Sequence, residues 1–415
     1  MNTIGIIAEY NPFHNGHIYQ LKCIRRQYPK ARILALMSGS FTQRGCPAVL
    51  DKWQRAEHAI LGGVDLVLEL PTAFAVRSAQ DFARGGVSLL ARLGIADGLA
   101  FGAESSLSLL HRVAVLMDTK EVQENLHSSI RNGMSYAAAM SRAIAAVSGV
   151  EERLLKKPNN ILALEYLRTL YHGNSGIKAL ILKRMGADHH DAELHENYAS
   201  ASAVRQEIYS SLPDRENLAK VLPASTLSSL FEARSEGRLP DISLLLRPLL
   251  VQLECCNAEE LKAFYGINEG LENRIMRAAF HCRTLDELIV ECCSCRYPKS
   301  RIQRVLIHCL LRLHRERVHM FDQAGPLYAR ILAFNRTGKG LLHEIKKNSA
   351  LPLVSKTSHF LKDAALKRLP KERTLLENML ALDIRATELR RLCLPALSAH
   401  GEDLRKSPVF ISATP

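Results

Sequence analysis

Near the N-terminus two histidines flank a glycine in the run Glu9-Tyr10-Asn11-Pro12-Phe13-His14-Asn15-Gly16-His17. The apolar stretch before them, Thr3–Ala8, reads as a buried strand, and His17 opens a helix-period stretch. A strand–turn–helix junction of this kind presents the unpaired N–H groups and the positive dipole end of a helix to an anion. Gly16 allows the backbone to approach a triphosphate closely, while two imidazoles stabilise charge that develops on α- and β-phosphates. Asn11 adds a polar contact to the same phosphates. The chemistry these residues support at this spacing is phosphate chemistry on a nucleoside triphosphate.

Four further groups fall where the same ligand should extend. After the second strand comes Met37-Ser38-Gly39-Ser40-Phe41-Thr42-Gln43-Arg44-Gly45, leading to Asp51-Lys52-Trp53. Arg44 and Lys52 are candidates to hold phosphate or a substrate carboxylate, Asp51 is a helix cap, and Trp53 is read as core. Phe101-Gly102-Ala103-Glu104-Ser105-Ser106 ends a strand, and bare backbone at Gly102 suits an adenine or ribose. In Lys157-Pro158-Asn159-Asn160, Asn159 caps a helix and Asn160 faces the ligand. Leu182-Lys183-Arg184 ends another strand, and Ser200-Ala201-Ser202-Ala203-Val204-Arg205 opens the next helix; a basic residue at either place steadies a leaving pyrophosphate. Arg205 fits a surface cation equally well.

The elements that must position these groups alternate. Thr3–Ala8, Arg32–Met37, Asp65–Leu70 and Asp97–Phe101 are apolar without polar alternation, as strands buried on both faces of a parallel sheet are. His17–Gln27, Asp51–Leu61 and Ala79–Leu93 between them have helical period. The pattern predicts an α/β fold, a doubly wound, Rossmann-like parallel sheet with ligands at the carboxyl ends of its strands. Lys178–Leu182 closes the sheet after a helical insertion at about 107–171. From about Ser200 strand signals become rare, and Leu, Arg, Glu and Lys recur at helical spacing. The expected organisation is an ATP-binding domain over residues 1–195 and a basic, mainly helical domain over 196–415.

With 415 residues, 47% hydrophobic and 23% charged, the chain can build more than one core, and wholesale disorder or a disulfide-stapled miniprotein is excluded. No apolar run reaches bilayer-spanning length, and nothing resembles a signal peptide, so a cytoplasmic location is expected. The ten cysteines lack two paired CxxC motifs, which argues for reduced thiols and against a metal site. The net charge is +13, and Arg296–Arg373 alone, with 18 basic and 5 acidic residues, matches that whole excess. So local an excess suits a polyanion-binding face. Within it Arg301, Arg304, His308, Arg312 and Arg315 recur every three or four residues, the spacing of one cationic ridge along a helix. That ridge is expected to serve RNA and to leave ATP chemistry untouched.

HxGH after the first strand of a doubly wound sheet resembles the nucleotidyltransferase superfamily. The ordered set AEYNPFHNGH, MSGSFTQRG, DLVLELP, FGAES, PNNILALEYL, the basic strand end at Arg184 and SASAVR is, more narrowly, similar to the tRNA(Met) cytidine acetate ligases. Tyr328–Asn335 with Gly338–Leu342 resembles that family's helical domain; Ala8 and Ala333 depart from it where Val and Gly are expected. The resemblance implies a two-step enzyme. ATP, with Mg2+, and acetate give acetyl-adenylate and pyrophosphate; the acetyl group then passes to the exocyclic amine of the wobble cytidine of elongator tRNA(Met). It implies that ATP is held by Ile7, Ala8, Glu9, Tyr10, Asn11, Pro12, Phe13, His14, Asn15, Gly16, His17, Ile18, Tyr19 and Gln20, with Gly102, Asn160 and Arg184. His14, His17 and Arg184 are the catalytic residues; acetate is expected near Glu9, Tyr10 and the Ser38–Arg44 loop. The expected partners are tRNA and acetate, with no membrane and no DNA. The rival readings are a small-molecule adenylyltransferase that builds a dinucleotide-type cofactor, which leaves the basic window unused, and a non-enzymatic RNA-binding protein on a degenerate nucleotide fold.

Overall fold

In the computed structural model of the chain, which describes residues 1–173, 175–183, 198–361 and 372–412, the alternation at the N-terminus becomes a parallel sheet. Its strands are β1 (Thr3–Ala8), β2 (Arg32–Ser38), β3 (Leu66–Leu70), β4 (Gly98–Ala103) and β5 (Lys178–Lys183). They stand in the order β5-β4-β1-β2-β3, all parallel. From β1 the chain thus winds first towards β3 and then back past β1 to β4, which makes the β1/β4 boundary the switch point of the fold.

Helices α1 (Asn15–Gln27) and α2 (Lys52–Leu61) cover one face, and α3 (Thr72–Ala75) and α4 (Ala79–Arg92) the other. Asp51 caps α2 by accepting from the Gln54 N–H, as its type predicts. Helix α4 lies close to the sheet because Gly86 faces it bare: a Cβ there would stand 2.6 Å from Ile7 Cδ1. The insertion is five helices, α5 (Leu107–Leu116), α6 (Lys120–Arg131), α7 (Tyr136–Ser148), α8 (Glu152–Leu155) and α9 (Pro158–Gly173).

The second half opens with helices α10 (Ala201–Ile208), α11 (Arg215–Val221) and α12 (Ala224–Ser235), which pack on Val49 and Leu50. Next come α13 (Leu246–Glu254), α14 (Ala258–Lys262), α15 (Leu271–Ala279), α16 (Leu285–Cys292) and α17 (Lys299–Leu310), built on a core of their own, and then α18 (Arg315–Ala324). The chain afterwards returns to the sheet. β6 (Ala329–Asn335) pairs antiparallel with β3, and both β7 (Leu353–Val354) and β8 (Val409–Ile411) pair with β6. Three more helices, α19 (Arg336–Asn348), α20 (Leu375–Arg391) and α21 (Glu402–Arg405), surround this edge. Tyr328–Asn335, read as part of a helical domain, is therefore mostly strand. An apolar run of seven residues cannot be told from a buried helix by periodicity alone, and its partner β3 lies far away in sequence.

The return is held by buried charge. Lys52 Nζ lies 2.9 Å from Glu69 and 3.0 Å from Asp403, and Arg330 pairs with the same two carboxylates. All four side chains are at most 3% exposed. Lys52, expected at phosphate, is thus a structural cation, and Trp53 beside it is core, with the ammonium 5.1 Å from its ring. Burial raises the Asp403 carboxyl, but Arg330 and Lys52 outweigh it and hold the group below the usual carboxylate range. Lys52→Met should cost about 3 to 5 kcal/mol of stability, the penalty for leaving buried charge without its partner. Urea unfolding of the variant beside the parent protein measures it; equal midpoints would show the cluster to be dispensable.

Candidate active site

The carboxyl ends of β1 and β4 open into a cleft of about 1310 Å³ lined by residues of both halves. His14, Gly16, His17, Tyr19, Gln20 and Gly102 all border it, together with Ile7, Ala8, Glu9, Tyr10 and Asn11. The histidines do more than sit beside a helix start. His14 is the N-cap of α1, so the helix begins two residues earlier than its sequence suggests. Its Nδ1 accepts from the Gly16 N–H at 3.1 Å, and His17 Nδ1 accepts from the His14 N–H at 3.1 Å. The two imidazoles form a reciprocal cap and stack with centroids 3.8 Å apart. With each Nδ1 an acceptor, the proton of each neutral ring is on Nε2. The cap therefore sets both tautomers for donation from Nε2. Gly16 is needed for a reason nearer than the triphosphate: a Cβ there would lie 2.8 Å from His14 Cε1.

The loop between β1 and α1 is anchored from several sides. Arg55 is fully buried, and its guanidinium donates to the carbonyls of Glu9, Leu50, Ser38 and Gly39, which ties the ends of β1 and β2 together. Burial pulls its pKa down to about 10, still charged at neutral pH. Asn11, expected at phosphate, uses its side-chain carbonyl to accept from the Val49 N–H, and its main-chain carbonyl accepts from Arg205 Nη1 at 2.6 Å. Arg205 thus points at the nucleotide loop and borders the cleft with Ser200 and Ser202. Glu9 accepts from the Gln43 N–H, which places the Thr42–Arg44 turn on the cleft wall.

Asn160, expected to face the ligand, is buried with its amide on Ser105 Oγ and the Leu154 carbonyl, and its oxygen on the Glu104 and Ser105 N–H groups. It acts on the cleft through the turn after Gly102, which it holds in place. Pro12, Phe13, Asn15 and Ile18 support the loop from behind; Asn15 Nδ2 donates to the Lys220 carbonyl. Arg184 lies outside the described residues.

The basic window reaches this same cleft. Arg301 and Arg304 of α17 line it, and Arg304 backs directly on Gly45, where a Cβ would meet its backbone N at 3.1 Å. Burial, then Arg301 and Arg44, lower the Arg304 pKa to about 10 against the opposing influence of Tyr265 and Asp81, so like charges crowd here. The single ridge expected from spacing is broken. α17 ends at Leu310, Arg312 has a left-handed backbone at φ 51°, and Arg315 starts α18. His308 is buried with its ring on the Val76 and Tyr265 carbonyls, and burial lowers its pKa to about 4. The charges expected to act apart from ATP therefore border the ATP cleft. Sequence assigns no role to two other lining residues: Glu165, which lies inside the PNNILALEYL motif, and Arg77, whose charge pairs with Asp81 and Asp322. Their partners come from α4 and α18, which only the fold brings together.

The whole-chain comparisons agree with this geometry. Residues 1–404 match the HIGH Nucleotidyl Transferase family model. The tRNA(Met) cytidine acetate ligase of Syntrophomonas wolfei is 39% identical, with 99% of each chain covered. That of Acetivibrio thermocellus is 36% identical over 99% of this chain and 100% of its own. The chain belongs to the tRNA(Met) cytidine acetate ligase family. Among solved structures, apo TmcAL of Thermotoga maritima superposes with a TM-score of 0.90 at 31% identity, and the same protein bound with alpha-thio ATP at 0.88 and 30%, each covering all of both chains. The family's fold is thus this chain's fold, antiparallel edge included.

Glu165 is the one buried carboxyl of the cleft wall whose charge the fold resists. Burial, together with Asp118 and Asp81 and against Arg168, raises its pKa to about 7. A raised carboxyl pKa means that ionisation favours the unfolded chain, so stability should fall as pH rises from about 4.5 to about 7. Glu165→Gln should remove that loss: thermal melts of the two proteins should coincide near pH 4 and separate by pH 8, the variant melting higher.

Proposed function

We propose that this protein activates acetate with ATP and transfers the acetyl group to the wobble cytidine of elongator tRNA(Met), giving N(4)-acetylcytidine. The observation that carries this reading is the reciprocal cap of His14 and His17 facing one cleft with Arg301 and Arg304 of the basic half. ATP lies with its triphosphate at the N-terminus of α1 and its adenosine over Gly102. The two Nε2–H groups meet the negative charge that grows on the phosphates as an acetate oxygen attacks the α-phosphorus and pyrophosphate departs. Arg205, with Arg184 that follows β5 in the sequence, steadies that leaving group. Mg2+ enters with ATP, carried by its phosphates: among the described residues no three His, Cys, Asp or Glu side chains converge as a metal cage.

Acetate offers little binding surface, so its selection comes from the close wall made by Glu9, Tyr10 and the Thr42–Arg44 turn. No covalent enzyme intermediate is needed; alignment and charge stabilisation suffice. In the second step the N4 amine attacks the acetyl carbon, AMP departs, and a proton leaves the amine. The cationic wall of Arg44, Arg301 and Arg304 receives the RNA backbone beside the adenylate. A cofactor-building adenylyltransferase would have no use for that wall, and the family relationship runs against it. No helix among the described residues is long and apolar enough to cross a membrane, and the reading places the enzyme with its tRNA in the cytoplasm.

Incubation with ATP, radiolabelled acetate and total tRNA, followed by nucleoside analysis, should yield labelled N(4)-acetylcytidine; label left entirely in acetate, with pyrophosphate released from ATP only when a mononucleotide co-substrate is supplied, would favour the rival. His14→Ala and His17→Ala should each slow acetate-dependent pyrophosphate release by ~100- to 1,000-fold, the usual loss for one preorganised donor. Wild-type turnover in both would remove the ATP assignment.

A further inference from the structure

The cleft continues beyond the ATP site into a recess between α4, α7 and α9, walled by Phe101, Tyr136, Met140, Ile144 and Leu155, with Glu165 among them. This wall is nearly all apolar and aromatic. Glu165 is 4% exposed, and its carboxyl makes no side-chain hydrogen bond among the described residues. The cation nearest to it, Arg168, stands 3.8 Å away and is already committed: its guanidinium grips Asp118 with Nε and Nη2 and reaches the Tyr136 hydroxyl with Nη1. A carboxyl so nearly buried at the wall of a substrate cleft, without a side-chain hydrogen bond among the described residues and with only a shared cation 3.8 Å away, is costly unless a ligand completes it.

The shape and chemistry select the ligand. Phe101 and Tyr166 lie 5.3 Å apart, both largely buried, and give the recess an aromatic lining against which a flat base can pack. A protonated carboxyl has one donor and one acceptor side by side. The Watson–Crick edge of cytosine has the complement, an acceptor at N3 beside a donor at N4. We propose that this recess receives the target cytosine, turned out of its stack, and that Glu165 reads its edge by donating to N3 and accepting from N4–H. The inference rests on the tRNA-acetylating function above. It adds to that function the place where the base is recognised and a specificity-determining residue.

The groups around Glu165 support the protonated form. Asp81 on α4 and Asp118 after α5 oppose a second negative charge, Tyr136 on α7 is neutral, and Arg168 on α9, the strongest of the neighbouring charges, favours ionisation but is shared with Asp118 and is outweighed by burial. Burial acts in the same direction as the two aspartates, and the group titrates at about 7. The other N4 hydrogen and the nitrogen itself remain free to meet the acetyl-adenylate from the cleft side. A base that is already unpaired in a loop pays little for leaving its stack.

The test compares wild type, E165L and E165Q in acetate-dependent pyrophosphate release without RNA, in acetyl transfer to tRNA(Met), and in thermal melting. All three should release pyrophosphate alike and melt at or above the wild-type temperature. Transfer by E165L should fall roughly 10- to 100-fold in kcat/KM for tRNA, the discrimination that one bidentate base contact supplies. E165Q should keep most of its transfer, since an amide donates to N3 and accepts from N4–H in the same geometry. Wild-type transfer by E165L would overturn the proposal, as would loss of both reactions together, which would mark a structural role. Loss of transfer alone in E165Q equal to that in E165L would overturn reading by a neutral carboxyl. If wild type acetylates no tRNA, the function itself fails, and this inference with it.

Discussion

Buried charges can be kept only where each finds its opposite, and this fold is organised around one such set. Lys52, Glu69, Arg330 and Asp403 lie together with almost no access to water. Two belong to the nucleotide-binding half and two to the returning C-terminal segment. Each half brings one cation and one carboxylate, and Lys52–Asp403 and Arg330–Glu69 pair across the junction, so separating the halves would break two buried ion pairs at once. The consequence reaches the active site. Lys52 opens α2, and Arg55 less than one turn later ties the carbonyls of Glu9, Ser38 and Gly39 into one junction. The Glu69 carboxylate also occupies the space beside Gly39, so a side chain at that glycine would displace it. The phosphate loop is thus as well placed as the C-terminal segment is well docked.

The two half-reactions proposed above share one cleft because of how the second half folds back. α17 delivers Arg301 and Arg304 to the edge of the loop that carries Arg44, and α18 delivers Asp322 to Arg77 and Arg84. An acyl-adenylate is prone to hydrolysis, and keeping it beside the RNA-binding wall shortens its exposure to water before transfer. The helical insertion completes the enclosure. α7 and α9 supply apolar walls and a carboxyl at the far end of the same space, where a base can lie within reach of the adenylate. The histidine cap belongs to this economy of parts: the same two rings that begin α1 also line the cleft.

The sequence by itself determined the alternating sheet, the strand limits of β1 to β5 within a residue or two, and the strand–turn–helix junction at the histidines, because each depends on short-range pattern. A doubly buried strand, a capping Asp51 and an HxGH turn declare themselves within about ten residues. Family membership was equally legible, since seven motifs in fixed order do not recur by accident. What the sequence could not decide are relations between residues far apart along the chain. The antiparallel pairing of β6 with β3 crosses more than half of the protein, and Arg330 inside an apolar run acquires its meaning only from Glu69 and Asp403. Lys52 read as a phosphate ligand because its type fits one; only the tertiary structure shows the two carboxylates that claim it. His308 kept helical spacing with its arginine neighbours, yet the fold turns it inward to Val76. Glu165 lies inside the PNNILALEYL motif, but the motif alone assigned it no role, for the same reason. A carboxyl's role is set by the partners and the water it lacks, and both are fixed by packing rather than by neighbours in sequence.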